Sequence, residues 1–168
     1  MHIPQTGLSK QEILSTLQAF KARDMDWKNG KVWCYVYDAG EDPAEVTKEA
    51  YLSFLSENGL DPSVFPSILK LETDVARMVI NLLRGDPNAV GHLTSGGTES
   101  IMLAVKSARD KARVEKPRVT HPEMILPKNA HAAFHKAAHY LCVKPVVVDL
   151  DPETFTVRAS DVESAINE

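Results

Sequence analysis

The sequence predicts an α/β protein built on a mainly parallel sheet, and three observations carry that expectation. The short apolar segment 89–94 leads through Ser95-Gly96-Gly97-Thr98-Glu99-Ser100 into a stretch where Ile101, Ala104, Val105 and Ala108 recur at helical spacing as far as about residue 113. A second short strand is expected at 123–126, followed by an alanine-rich helix at 129–140. A third segment, 145–150 (PVVVDL), is β-branched and reads as a buried strand. Strands that alternate with helices need crossover connections, and crossovers make the pairing parallel.

The elements before and after this core follow from local signals. Ser9-Lys10-Gln11-Glu12 is a capping box, and Ile13, Leu14, Leu17 and Phe20 continue it as an amphipathic helix over 10–24. Residues 25–40 hold Trp27, Trp33, Tyr35 and Tyr37 between glycines, which suits an irregular arm or a short strand pair. Pro43 fits a first helical turn, with Val46, Tyr51, Phe54 and Leu55 supporting a helix over 43–57. Asn58-Gly59-Leu60-Asp61-Pro62 breaks it. A longer helix follows Pro66, with Ile68, Leu71, Val75, Met78, Val79 and Leu82 on one face, and Gly85-Asp86-Pro87 ends it. Ser160-Asp161-Val162-Glu163 reads as the cap of a last helix. The expected organisation is an arm and helices over 1–62 and the first part of a larger domain over 63–168. Three strands are few for such a sheet, so the expectation is a piece of a longer protein.

Composition narrows the function classes. The 168 residues are 43% hydrophobic and 25% charged, ordinary for a soluble domain with its own core. The net charge of −4 and the lack of a basic block argue against nucleic acid or an anionic membrane as partner. Cys34 and Cys142 are far apart and outside any CxxC spacing, so they read as reduced thiols. With neither a signal-peptide pattern nor an apolar run of spanning length, the expected location is the cytoplasm, with no transmembrane anchor.

Two places carry chemistry. A phosphate needs several N–H donors and no bulky side chain in the way. Gly96 and Gly97 let the backbone approach, Thr98 adds a hydroxyl, and the helix that follows turns its unpaired N–H groups and positive dipole end to the same spot. The pattern is neither GxxxxGK[ST] nor GxGxxG, which favours a compact phosphate monoester over a nucleotide; a plain strand-to-helix turn is the bland alternative. His131 lies just past the second strand, where ligands collect in open α/β sheets, and Ala130, Ala132 and Ala133 leave room for a flat ligand. The alternative is a capping or surface histidine. His131, His135 and His139 share one helical spacing but lack a carboxylate on that face, so no metal is expected. His2, His92 and His121 carry no functional assignment. Trp27, Trp33, Tyr35 and Phe54 read as packing or interface residues. Lys106, Arg109, Lys111 and Arg113 read as a solvated helix face.

LTSGGTESIMLAVKSARDKAR followed by NAHAAFHKAAHYL resembles the sphingosine phosphate lyase branch of the group II decarboxylase family, which depends on pyridoxal 5'-phosphate (PLP). NGLDPSVFPSILKLETDVARM and GKVWCYVY resemble upstream stretches of the same branch, so the likeness runs from about Gly30 to the end. It implies the N-terminal part of a type I aminotransferase-fold large domain, with helices on both faces of the sheet, and a homodimer in the complete enzyme. Gly96, Gly97 and Thr98 match the phosphate-binding turn. His131 matches the residue stacked on the pyridine ring and is the implied catalytic residue. Tyr37 and Asn58 match positions near the substrate. Lyases often carry histidine after Asn-Pro-Leu, whereas Asp61 follows Asn58-Gly59-Leu60 here. The implied activity is retro-aldol cleavage of a phosphorylated amino alcohol, such as a sphingoid base phosphate. Amino acid decarboxylation and a non-catalytic interaction domain of the same fold are the alternatives. The aspartate that pairs with the pyridine nitrogen and the lysine that anchors the cofactor are expected beyond residue 168, so this stretch alone is expected to be inactive.

Overall fold

The computed structural model describes residues 5–167; residues 1–4, His2 among them, and Glu168 lie outside the description. The chain divides into two units, Met1–Leu60 and Asp61–Glu168.

In the first unit, helix α1 (Lys10–Lys21) begins on the capping box read from the sequence. It stops short of residue 24 because the Arg23 and Asp24 N–H groups donate to the carbonyls of Phe20 and Lys21, three residues back, and tighten the last turn. Of the two readings of 25–40, the irregular arm is the one found. It holds one 3-10 turn, Trp27–Asn29, closed by Gly30 at φ 73°. Trp33, Tyr35 and Tyr37 stand almost fully exposed, so they do not serve as packing within the described residues. Helix α2 (Glu41–Ser53) starts at Gly40 and places Pro43 in its first turn, where a missing N–H costs nothing. It closes at Ser53 rather than 57.

The second unit opens with α3 (Pro66–Leu82), which has proline at its first position. Its end is a Schellman motif: the Gly85 N–H donates to the Ile80 carbonyl at 2.8 Å and the Arg84 N–H to the Asn81 carbonyl at 3.1 Å. The left-handed position is filled by Arg84, at φ 55°. The segment that follows corrects the sequence reading. Residues 89–94 form no strand; they run back beside α3. A strand needs a neighbour to pair its N–H and C=O groups, and none is present for this segment among the described residues. Gly91 lies so close to α3 that an added Cβ would sit 3.1 Å from the Ala76 Cβ. The return segment covers a different row of α3 from the apolar face read in the sequence. Leu69, Thr73, Ala76 and Ile80 line the groove beside the return segment, while Leu71, Val75, Met78, Val79 and Leu82 stay exposed.

Helix α4 (Gly97–Glu115) leads to strand β1 (Glu123–Pro127), then helix α5 (Ala132–Leu141), strand β2 (Lys144–Val148) and helix α6 (Ala159–Ser164). The two strands pair in parallel, Glu123 opposite Lys144 through Pro127 opposite Val148. The sheet thus has two strands among the described residues, not three. With one neighbour only, β2 is half wet: Val148 is buried and Val147 exposed, against the expectation of a buried strand. An ion pair stands at each end of the ladder, Lys144 with Glu123 at 2.7 Å and Lys128 with Asp149 at 3.0 Å. Such exposed pairs contribute about 0–1 kcal/mol each. The last helix starts at Ala159 with Arg158 as its N-cap, so Ser160 lies inside it and caps nothing. Arg158 instead pairs with Asp151, which also accepts the N–H groups of Glu153 and Thr154. No described helix is long and apolar enough to cross a membrane.

The core of the second unit joins α4, α5 and the start of β2. Val105, Ala137 and Val143 form its buried cluster, with Met102, Met124, Phe134 and Leu141 packed against it. Arg109 departs from the solvated face expected of it. Its side chain is 13% exposed, donates to the Leu141 carbonyl at 3.2 Å and pairs with Asp110. Lys106, Lys111 and Arg113 do face solvent.

Candidate functional site

Two helix starts in the second unit are brought to one level. Arg109 and Leu141 touch across a separation of 32 residues. The same separation relates Val105 to Ala137 in the core cluster and Met102 to Phe134 packed on it. A constant offset means that α4 and α5 run side by side in the same direction. Moving ten residues upstream from Arg109 and Leu141, about 15 Å along each helix, reaches Glu99 and His131. The first turn of α4 and the N-cap of α5 therefore lie at the same end, beyond the carboxyl end of β1.

The α4 start is left open by its chemistry. Gly96, the N-cap, has φ 158° and ψ 177°, a region that only glycine visits freely. It supplies no side-chain cap. The Ser100 N–H closes the first helical bond onto the Gly96 carbonyl at 3.1 Å. The N–H groups of Gly97, Thr98 and Glu99 have no hydrogen-bond partner among the described residues, and a Cβ at Gly96 or Gly97 would meet nothing within 4 Å. The Glu99 carboxylate turns away from these amides to accept the Ser95 N–H and the Ser95 hydroxyl, each at 2.7 Å. Those bonds, the hydroxyl first, hold its pKa below the usual carboxylate range, with a smaller contribution from His92. Thr94 braces the turn from the other side, its hydroxyl 2.7 Å from that of Ser100 and 3.1 Å from the Gly96 carbonyl.

His131 occupies the N-cap of α5, and its Nδ1 accepts the Ala133 N–H at 3.1 Å. The helix therefore begins at Ala132, not at Asn129. Upstream, the Lys128 N–H donates to the Val148 carbonyl at 3.0 Å and the Ala130 N–H to Pro127 at 2.9 Å, which ties the approach to His131 to the ends of both strands. The imidazole itself is exposed.

Tyr37 and Asn58 belong to the first unit. The Tyr37 side chain is fully exposed, and the Asn58 side-chain oxygen accepts the Leu60 N–H at 3.0 Å. Asp61 is committed locally: its carboxylate takes the Ser63 hydroxyl at 2.7 Å and the Ser63 N–H at 2.8 Å, which lowers its pKa below the usual aspartate value. Among the described residues no group of three or more His, Cys, Asp or Glu is placed to hold a metal ion. Arg109, which locks the two helices in register, escaped the sequence reading because nothing in its helical spacing separates it from the exposed lysines beside it.

Fold and site together define an α/β segment of the type I aminotransferase kind, with an uncapped helix start at the same end as an imidazole. The chain belongs to the DegT/DnrJ/EryC1/StrS aminotransferase family, whose model matches residues 41–168. It is 39% identical over 166 residues to sphingosine-1-phosphate lyase of Drosophila melanogaster, which covers 98% of this chain and 30% of the lyase. It is 36% identical over 168 residues to the probable L-aspartate decarboxylase of Pyrococcus furiosus, covering 100% of this chain and 43% of that protein. The structure of a Burkholderia pseudomallei sphingosine-1-phosphate lyase superposes with TM-score 0.88 at 32% identity, over 100% of this chain and 40% of the other. Glutamate decarboxylase of Lactobacillus brevis shares the fold, with TM-score 0.77 at 18% identity over 99% of this chain and 39% of the other. The relatives are thus lyases of PLP-dependent type, and the chain spans less than half of each of these four proteins.

Proposed function

We propose that the complete protein is a PLP-dependent carbon–carbon lyase that cleaves a phosphorylated amino alcohol, such as a sphingoid base phosphate, by a retro-aldol reaction. The observation that carries this reading is the juxtaposition of two helix starts, one with bare amides and one holding an imidazole. The N–H groups of Gly97 and Thr98 and the Thr98 hydroxyl suit the three oxygens of a phosphate monoester, aided by the helix dipole. Gly96 keeps that approach free of side chains. His131 offers a flat face for the pyridine ring, with Ala130 and Ala132 too small to block it. When bound, PLP supplies an electron sink for the bond broken next to the carbon that bears the amine. Tyr37 and Asn58 are assigned to the substrate, a small-molecule amine. Residues 1–62 act as the arm and 63–168 as the first part of the cofactor domain of a cytoplasmic homodimer.

Decarboxylation of an amino acid is the second reading. Asp61 favours it, since a carboxylate bound to Ser63 cannot receive a phosphate-headed substrate as a histidine would. The deciding experiment is a product assay on the full-length protein loaded with PLP. Aldehyde plus phosphorylated amine supports the lyase, and carbon dioxide supports the decarboxylase. Lack of any PLP binding by the full-length protein rejects both.

A further inference from the structure

His131 does more than offer a surface to a ring. A backbone N–H is always a donor, so the nitrogen that receives it must present a lone pair. The Ala133 N–H reaches Nδ1 at 3.1 Å. The neutral imidazole must then carry its proton on Nε2. The backbone that carries the ring is held on both sides, which keeps Nδ1 over the Ala133 N–H. The His131 carbonyl accepts the Phe134 N–H at 2.9 Å, and Phe134 packs against the Val105–Ala137–Val143 core. On the other side, Lys128 and Ala130 hook the preceding turn to the ends of both strands. Nε2 has no partner among the described residues.

We infer that His131 is a backbone-fixed Nε2–H donor, so the group it meets on a bound ligand is an oxygen acceptor of carboxylate, phosphate or hydroxyl type, and His131 is not the base that removes a substrate proton. The ligand half of this statement rests on the cofactor reading above; the tautomer does not. The chemistry gives the residue two separable duties, a cap that an asparagine side chain can reproduce and a donor ring that it cannot.

The test uses the full-length protein with ¹⁵N-labelled histidine and long-range proton–nitrogen correlation spectra, without and with PLP. The expected result is Nδ1 unprotonated and Nε2 protonated in both states. A proton on Nδ1, or an even mixture of tautomers, overturns the inference whatever PLP does. His131→Asn is expected to unfold at the parent's urea midpoint and His131→Ala at a lower one, while both bind PLP about five- to tenfold more weakly, the usual worth of a lost ring contact. If His131→Asn unfolds as early as His131→Ala, the cap is wrong and the inference falls. If the tautomer and the cap hold but PLP affinity is the same in parent and His131→Asn, the fixed donor stands and the cofactor reading of the site fails.

Discussion

Helices α1 and α4 open with the same two residue types, a serine and a glutamate, yet one start is closed and the other open. In α1 the glutamate follows the serine by three residues. Ser9 is the N-cap, its Oγ accepts the Glu12 N–H at 3.3 Å, and Glu12 returns a bond to the Ser9 N–H at 2.8 Å. In α4 the glutamate follows by four. The extra residue moves Ser95 one place before the helix and puts Gly96 at the cap, so the serine–glutamate bonds still form but no oxygen reaches the helical amides. One inserted glycine therefore converts a self-satisfied helix end into one with donors to spare. The difference teaches that free helical amides are made here by withholding a cap, while the nearest acid is kept and turned aside.

Removing the insertion is the sharpest way to break this comparison. Deleting Gly97 restores the three-residue spacing of α1. The full-length protein should then lose PLP affinity by about a hundredfold or more, the worth of two hydrogen bonds to a charged group, without loss of thermal stability. Titration by absorbance alongside a melt reads both, and unchanged affinity would sink the assignment of the turn. Next in size is Gly96→Ala, which forces a side chain into a glycine-only conformation. It should destabilise the second unit by about 1–3 kcal/mol in urea unfolding, although the space around Gly96 is open. Ser9→Ala should cost about 1 kcal/mol through its lost cap, whereas Ser95→Ala, which removes no cap from α4, should cost less.

The smallest effect is a pH dependence that the two starts should share. Glu12 and Glu99 both have pKa values held below the ordinary carboxylate range, in each case by a serine hydroxyl first and the serine N–H second. A lowered folded-state value contributes stability that is present above the unfolded value, about 4.3, and is lost as pH falls through the folded one. Melts of Glu12→Gln and Glu99→Gln should therefore differ from the parent most near neutral pH and converge with it in acid. A gap that widens in acid would reverse the sign of the argument.

Much of this was legible because it is local. The glycine turn, the Ser9–Glu12 box and the helix after Pro66 depend on bonds between residues at most a few positions apart, and residue types report such bonds directly. The strand expected at 89–94 failed for the opposite reason: its apolar pattern is real, but a strand is a relation between two segments, and α3 offered a groove instead. The α3 stripe left a related question open, since periodicity gives a helix several apolar rows and does not say which a neighbour will cover.

By itself, then, the amino-acid sequence determined which stretches are helical, that α1 starts on a capping box and that α4 would open with unclaimed amides, because these follow from hydrogen bonds spanning a few residues. Only the tertiary structure decided that those amides share a level with His131. That alignment comes from Val105 against Ala137 and from Arg109 on the Leu141 carbonyl, packing between residues 32 apart that leaves no periodic trace in the chain.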